Sequence, residues 1–289
     1  RATVRASRIE NNTVSSEGGG ISVGDGSTVT LDSVVLIGNR ANLGGALSII
    51  DASVSIVASQ FERNLAHLSG GAIRAVTGTH LFVDRSRFVG NVAETINGGA
   101  LYLTEAQGEI RNSTFDNNRA AAIGGAVYWN AAPDGIFAGN TVVNNRAMDG
   151  AGIQFVGGHA RVSNNVVREN TASRFGGGIV MNLGVDFTLR GNMIERNNAG
   201  EAGGLIVQRD SVGVIENNVI SFNRSGDIAG GIKIMTNSNP IVRNNRIEGN
   251  TSDVDGGAIF VEDHSGPLIE NNEIIDLSLI HISEPTRPY

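Results

Sequence analysis

Residues 70–91 read GGAIRAVTGTHLFVDRSRFVGN, and variants of this stretch recur along the chain. The stretch begins with a glycine pair, passes through apolar runs and ends with an asparagine. The small-residue pair returns every 26 to 28 residues, starting at Gly18, Gly44, Gly70, Gly98, Gly124, Gly150, Gly176, Ala202, Ala229 and Gly256. Self-similarity at a fixed period of this length is typical of solenoids. The sequence therefore predicts a chain built from repeated coils.

Three positions in each repeat are apolar almost throughout. The first follows the glycine pair, at Leu47, Ile73, Leu101, Val127, Ile153, Ile179, Leu205, Ile232 and Ile259. The second is Leu31, Ile56, Val83, Ile110, Phe137, Val162, Leu189, Ile215, Val242 and Ile269, and the third is Ile9, Leu36, Phe61, Phe88, Phe115, Val142, Val167, Ile194, Ile220, Ile247 and Ile274. Apolar residues recur at a spacing of two, most clearly after the glycine pairs, and this spacing is typical of a β-strand. We therefore predict three short strands in each coil.

The residue composition excludes a helical repeat. The chain has 39 glycines in total, and asparagine occurs in every period. Both residue types disfavour helix interiors. Tight turns between short strands use the same residues for positive φ and for side-chain hydrogen bonds. The predicted fold class is all-β, a parallel β-helix solenoid of about ten coils in which each strand pairs with the coils above and below.

An unbroken asparagine column closes the repeats: Asn12, Asn39, Asn64, Asn91, Asn118, Asn145, Asn170, Asn197, Asn223 and Asn250. Stacked coils lie about 4.8 Å apart, so that successive amides can bond one another. A second column, five residues earlier, changes from serine to asparagine and is interrupted only at Val34. Because a ligand site is local and these columns recur in every coil, we predict asparagine ladders that belong to the scaffold.

The composition of the 289 residues excludes several classes of protein. The net charge is -7 without a basic cluster, which argues against a nucleic-acid partner. No apolar run approaches the length of a transmembrane segment. Cysteine is absent, which excludes disulfides and thiolate metal sites. We expect one elongated domain, a monomer, without a metal or cofactor.

The repeat pattern stops near the end of the chain. It continues to Asn272, Ile274 and Asp276, and residue 277 is leucine in place of the expected asparagine. Residues 277–289, LSLIHISEPTRPY, closely resemble the translation of a transposon-end sequencing adapter. We therefore expect residues 1–276 to be a β-helix fragment without its natural ends, and residues 277–289 to be an artefact.

Two short motifs carry a family resemblance. GGAI occurs at residues 70–73 and 256–259, and FxxN occurs at residues 61–64, 88–91 and 115–118. The chain resembles right-handed parallel β-helix proteins of the pectin-lyase-like superfamily, and within them the repeats of chlamydial-type polymorphic membrane proteins. The resemblance covers residues 1–276. It implies right-handed coiling and an extracellular or bacterial cell-surface passenger that acts as an adhesin.

One outward-facing strip is a candidate binding surface. On the strand after the glycines, the residues alternating with the core include Arg74, Tyr102, Tyr128 and Gln154 in successive coils. Aromatic side chains with polar neighbours suit sugar rings and protein partners alike. We predict that these four residues bind an extracellular glycan or a surface protein of a host or neighbouring cell.

The alternative is a polysaccharide lyase, glycosidase or epimerase that acts on acidic polysaccharide, which the superfamily also contains. Lyases of this kind need a basic residue and acidic ligands for Ca²⁺, and hydrolases need two carboxylates across the bond. The nearest acidic candidates precede glycine pairs or lie in turns: Glu201, Asp227, Asp253, Asp255 and Asp263, the last beside His264. The superfamily's glycosidase signatures are absent, and His67, His80 and His159 share no column. We therefore predict no catalytic or metal-binding residue, with Ca²⁺ expected only for a lyase.

Overall fold

The computed structural model describes residues 1–276 and 278–279, and there every regular element is a β-strand. Apolar residues at alternate positions place one face of each short strand inside, while glycine and asparagine make the corners. The strands stack coil over coil in parallel register, so that Ile73 pairs with Leu101 and Phe88 with Phe115. The predicted all-β parallel solenoid of about ten coils is confirmed.

Four classes of strand make up a coil. Glycine strands follow the small-residue pairs: Ile21–Val23, Leu47–Ile50, Ile73–Val76, Leu101–Thr104, Val127–Ala138, Ile153–Ser163, Ile179–Asn182, Leu205–Gln208, Ile232–Met235 and Ile259–Val261. Second strands are Ala2–Arg5, Thr28–Asp32, Ser53–Val57, His80–Asp84, Gln107–Arg111, Asp186–Arg190, Val212–Glu216, Ile241–Arg243 and Leu268–Glu270, with Val127–Ala138 and Ile153–Ser163 serving as both. These two classes form one sheet of 19 strands.

The other two classes form a sheet each. Third strands, in an 11-stranded sheet, are Arg8–Glu10, Val35–Ile37, Gln60–Glu62, Arg87–Val89, Thr114–Asp116, Thr141–Val143, Val166–Arg168, Met193–Glu195, Val219–Ser221, Arg246–Glu248 and Glu273–Ile275. Short strands, in a 10-stranded sheet, are Arg40–Leu43, Leu65–Ser69, Val92–Ala93, Arg119–Ala120, Arg146–Asp149, Thr171–Phe175, Asn198–Ala199, Arg224–Ser225, Thr251–Ser252 and Ser278–Leu279.

The short strands are an addition to the three strands that the apolar columns predicted. Each short strand from Arg40–Leu43 to Thr251–Ser252 follows the asparagine ladder and buries a small residue, as at Ala66, Ala93 and Ala120. Within the stretch interpreted as an adapter, Ser278–Leu279 pairs with Thr251–Ser252. Residues 277 and 280–289 of that stretch lie outside the described residues.

Both predicted ladders are present at the corners before and after the third strands. Asn145 donates through Nδ2 to Asn170 Oδ1 at 2.9 Å and to the Phe115 carbonyl at 3.0 Å. Its own Oδ1 accepts from the backbone N–H and from Nδ2 of Asn118. Asn144, which precedes it, has φ of +59°, and this left-handed residue turns the chain so that the next amide points inward. The ladders therefore satisfy the polar atoms of corners that are otherwise buried.

Stacked aromatic rings fill part of the core. Phe61, Phe88 and Phe115 stack with ring centroids 4.9 and 4.8 Å apart, which repeats the coil spacing. Trp129 is fully buried and donates from Nε1 to the Ala106 carbonyl at 3.2 Å. Its ring occupies the space left by Gly108 and Gly135, because a side chain on Gly108 would overlap the indole. The core is therefore a continuous column along the solenoid.

Candidate functional site

The four predicted binding residues lie side by side on the outward face of the glycine strands. Strand register pairs Arg74 with Tyr102, Tyr102 with Tyr128, and Tyr128 with Gln154. They therefore occupy consecutive coils of one column, which we call the tyrosine strip. The first glycine of each pair lies against this column, as Gly124 does against Tyr128 and Gly150 against Gln154. Strand and preceding turn together bury the strip more deeply than an open sheet surface would.

The two tyrosines face each other. Their ring centroids are 5.4 Å apart with an interplanar angle of 13°, so one face of each ring is covered by the other ring. Burial, and after it the charge interaction with Tyr102, raises the pKa of Tyr128 above the usual value of 10.0. The pair thus forms a partly buried aromatic wall rather than two separate flat platforms.

The polar ends of the strip differ from each other. The Arg74 guanidinium donates to Glu17 Oε2 at 2.8 Å and to Ser48 Oγ at 3.5 Å, so much of its charge is neutralised within the protein. Gln154 is buried, and its Oε1 has no hydrogen-bond partner among the described residues. Such an unpaired oxygen costs about 1 to 3 kcal/mol. Gln154 therefore offers a buried acceptor that no described residue uses.

Further along the same column lies the chain's only lysine. Lys233 is 3 % exposed and donates to Glu201 Oε2 at 2.7 Å and to Glu262 Oε1 at 2.8 Å. Burial by itself lowers the pKa of the Lys233 ammonium, but the hydrogen bonds to Glu201 and Glu262 outweigh it, and the net pKa is raised. A cleft of about 400 Å³ lies beside this group, with Phe175, Ile206 and Met235 among its apolar walls. At neutral pH the group holds one ammonium between two carboxylates.

The remaining acidic and histidine candidates do not assemble into a site. Asp253 pairs with Arg224 at 3.6 Å, and Asp263 and His264 both occupy left-handed turn positions. His67 contacts Glu94 at 3.4 Å and His159 contacts Asp186 at 3.3 Å. Within residues 1–276, no three histidine or carboxylate side chains are grouped to hold a metal ion.

A second concave surface was not predicted from the sequence. We call it the Phe82 groove; it runs over the outward face of the second strands and has a volume of about 300 Å³. Its walls and floor include Thr30, Ser55, His80, Phe82, Gln107 and Ile136. The alternation in His80–Asp84, with Leu81 and Val83 in the core, already placed Phe82 outside. The sequence pattern therefore contained this signal, but the predicted binding surface was confined to the glycine strands.

This architecture defines the class of protein. The sheets pair in parallel, coil over coil, with amide ladders at the corners, which is the geometry of a parallel β-helix. The family model described as "Right handed beta helix region" matches residues 2–172, 70–207 and 200–284. The chain therefore belongs to the right-handed β-helix family, as the resemblance had indicated. Comparison with curated proteins and with solved structures gives no match.

Residues 1–276 and 278–279 contain no helix long and apolar enough to cross a bilayer.

Proposed function

We propose that this β-helix is a binding module of a secreted or cell-surface bacterial protein, acting as an adhesin or glycan-binding passenger. The observation that carries the proposal is the tyrosine strip, in which a stacked aromatic pair adjoins a buried carboxamide with an unpaired oxygen. Aromatic groups beside hydrogen-bonding groups are the usual anchors of recognition surfaces. A rigid sheet holds them in place, so little side-chain entropy is lost when a partner binds.

The geometry also suggests how a ligand would use the strip. Because Tyr102 and Tyr128 cover each other, a sugar or protein group would contact ring edges and phenol groups, with an outer ring face available only at either end of the pair. A ligand hydroxyl beside Gln154 would find an acceptor after a side-chain rotation, since Oε1 rests against Gly150. Arg74 would orient the ligand while remaining bound to Glu17.

The enzyme alternative is centred on the cleft beside Lys233. Glu201 and Glu262 both bind one ammonium, so their bound oxygens are close enough to resemble the carboxylate pair of a retaining glycosidase. Such an enzyme needs one of the two carboxyl groups protonated, and a lyase needs a neutral base. Both carboxyl groups bind the same ammonium, and the raised pKa of Lys233 keeps that amine charged. A charged ammonium is not the neutral base that a lyase needs, and this favours binding over catalysis.

The proposal can be tested by glycan-array and cell-binding assays with the full chain. We expect the unmodified protein to bind, and Tyr102→Ala and Tyr128→Ala to weaken binding at least about tenfold through lost aromatic contact. Phe222→Ala is the matched control, because Phe222 is 51 % exposed and belongs to a different corner of the coil. Equal binding by the tyrosine variants and the control would remove the strip from the proposal.

Gln154→Leu separates binding from stability. Replacing the unpaired carboxamide with an apolar side chain should leave the melting temperature unchanged or slightly higher, because a buried orphan oxygen is removed. Binding should nevertheless weaken if ligand hydroxyls use this group. A large loss of stability would mean that Gln154 is a structural residue.

The alternative has its own readout. Incubation with polygalacturonate or alginate should release no unsaturated product and no reducing ends. Release of either product by the unmodified chain, abolished by Glu201→Gln, would establish the enzyme and contradict a purely adhesive role.

A further inference from the structure

The Phe82 groove lies on the second strands, outside the tyrosine strip. Two columns of outward-facing residues form it. In the first column, strand register pairs Thr30 with Ser55, Ser55 with Phe82, and Phe82 with Glu109. His80 and Gln107 are neighbours in the adjoining column. The coils that line the groove, from Thr28 to Ile136, therefore present their outward side chains at intervals of about 4.8 Å.

The lining combines an apolar floor with hydrogen-bonding groups, most of them uncharged. Phe82 and Ile136 are half-buried, while hydroxyls of Thr30 and Ser55 and the amide of Gln107 line the groove beside them. A volume of about 300 Å³ lies within the usual range of small-ligand sites, which share this combination of surfaces. Sugar rings offer the complementary pattern, with apolar C–H faces and hydroxyl rims.

The charged residues at the groove favour neutral glycans over acidic ones. Neither lysine nor arginine is among the described residues that line the groove, whereas Glu109 and Asp134 are. Arg111 and Arg161 donate to these two carboxylates, so both arginines are already paired and offer no free cation to an incoming acid. A uronate chain would therefore leave water for the groove without gaining a counter-charge, whereas a neutral chain needs none.

We propose that the Phe82 groove is a binding site for a neutral linear glycan that runs along the solenoid axis. One sugar unit is similar in length to the rise of one coil, so successive units meet equivalent pairs of side chains. The inference rests on the proposed glycan-binding function and adds a second location and a ligand class.

The test uses the full chain and titration calorimetry with cellohexaose, maltohexaose, mannohexaose and chitohexaose, and with hexagalacturonate as the acidic comparison. Ser55→Trp fills the groove, and Gln107→Ala removes an exposed amide without threatening the fold. Thr114→Trp is the matched control, since Thr114 is also half-buried but lies in the 11-stranded sheet. Melting curves establish that all variants are folded.

We expect at least one neutral hexasaccharide to bind, and Ser55→Trp to weaken that binding at least about tenfold while Thr114→Trp does not. If the neutral probe binds Ser55→Trp and Gln107→Ala as tightly as the unmodified chain, or if the chain binds glycans but only acidic ones, the groove assignment is wrong and glycan binding at the tyrosine strip still stands. If the unmodified chain binds no glycan and no cell surface, the proposed function itself fails.

Discussion

At the scale of single residues, the ladder asparagines are the most constrained positions in the chain. From Asn39 to Asn223, each amide oxygen accepts two hydrogen bonds from the preceding coil, and each amide nitrogen donates to the next asparagine and to a backbone carbonyl. The side chains from Asn39 to Asn250 are buried. No other residue type has the acceptor, the two donors and the length that this corner requires.

Asn145→Leu should therefore lower the free energy of unfolding by about 1 to 3 kcal/mol, because the Asn118 N–H and Nδ2 lose their acceptor. Chemical denaturation followed by circular dichroism measures this difference. Asn198→Leu is the control, since Asn198 is exposed and its side chain makes no hydrogen bond with other described residues. Equal stability of the two variants would contradict a stabilising role for the ladder.

Gly108 and Trp129 form a matched pair in the core. A methyl group at Gly108 would overlap the indole of Trp129, which is fixed by its bond to Ala106. We expect Gly108→Ala to destabilise the protein by about 1 to 3 kcal/mol through overpacking. Adding Trp129→Leu should remove part of the penalty, so thermal unfolding of the single and double variants should be non-additive. Additive effects would show that the alanine is accommodated elsewhere.

At the scale of elements, the stacked tyrosines make the glycine-strand surface sensitive to alkali. The pKa of Tyr128 is raised in the folded state, so the unfolded chain loses its phenolic proton first as the pH rises. The stabilising contribution is complete below about pH 10 and is lost as the pH rises through the folded-state pKa. Denaturation midpoints measured at increasing pH should fall more steeply for the unmodified protein than for Tyr128→Phe, and parallel curves would contradict this.

The strands differ in how well sequence predicts them. Large apolar residues at alternate positions marked the glycine, second and third strands, as Ile73, Val83 and Phe88 do in one coil. The short strands were missed because they bury only a small residue, such as Ala93, and span as few as two residues. Their existence depends on hydrogen bonds to neighbouring coils, which no local pattern reports.

The candidate sites follow the same division. A fixed period places Tyr102 next to Tyr128, so the strip was predictable. Whether the rings would stack or stand apart was not, since it depends on side-chain torsions and on the turn beside Gly124. The contacts of Lys233 with Glu201 and Glu262 join three coils. Sequence shows these residues as separate charges, and only the superposition of coils brings them together.

At the scale of the whole molecule, a solenoid transmits little from one end to the other. Each coil contacts its two neighbours through the ladders and the stacked core, and no strand pairing within residues 1–276 closes the structure over many coils. Stability should therefore be close to a sum of coil terms and nearest-neighbour terms. Distant substitutions should act independently, and adjacent ones should not.

The asparagine ladder offers the test of this independence. Asn64→Leu and Asn197→Leu lie five ladder steps apart, so their unfolding free energies should add within about 0.5 kcal/mol. Asn118 and Asn145 are hydrogen-bonded to each other, so once one is replaced by leucine the bonds between them are already lost. The second substitution should therefore cost less than it does alone, and we expect a coupling free energy of about 0.5 to 2 kcal/mol. Denaturation midpoints of the two double-mutant cycles measure both quantities. Strong coupling between Asn64 and Asn197 would show that the coils fold as one indivisible unit, and the nearest-neighbour description of the molecule would have to be abandoned.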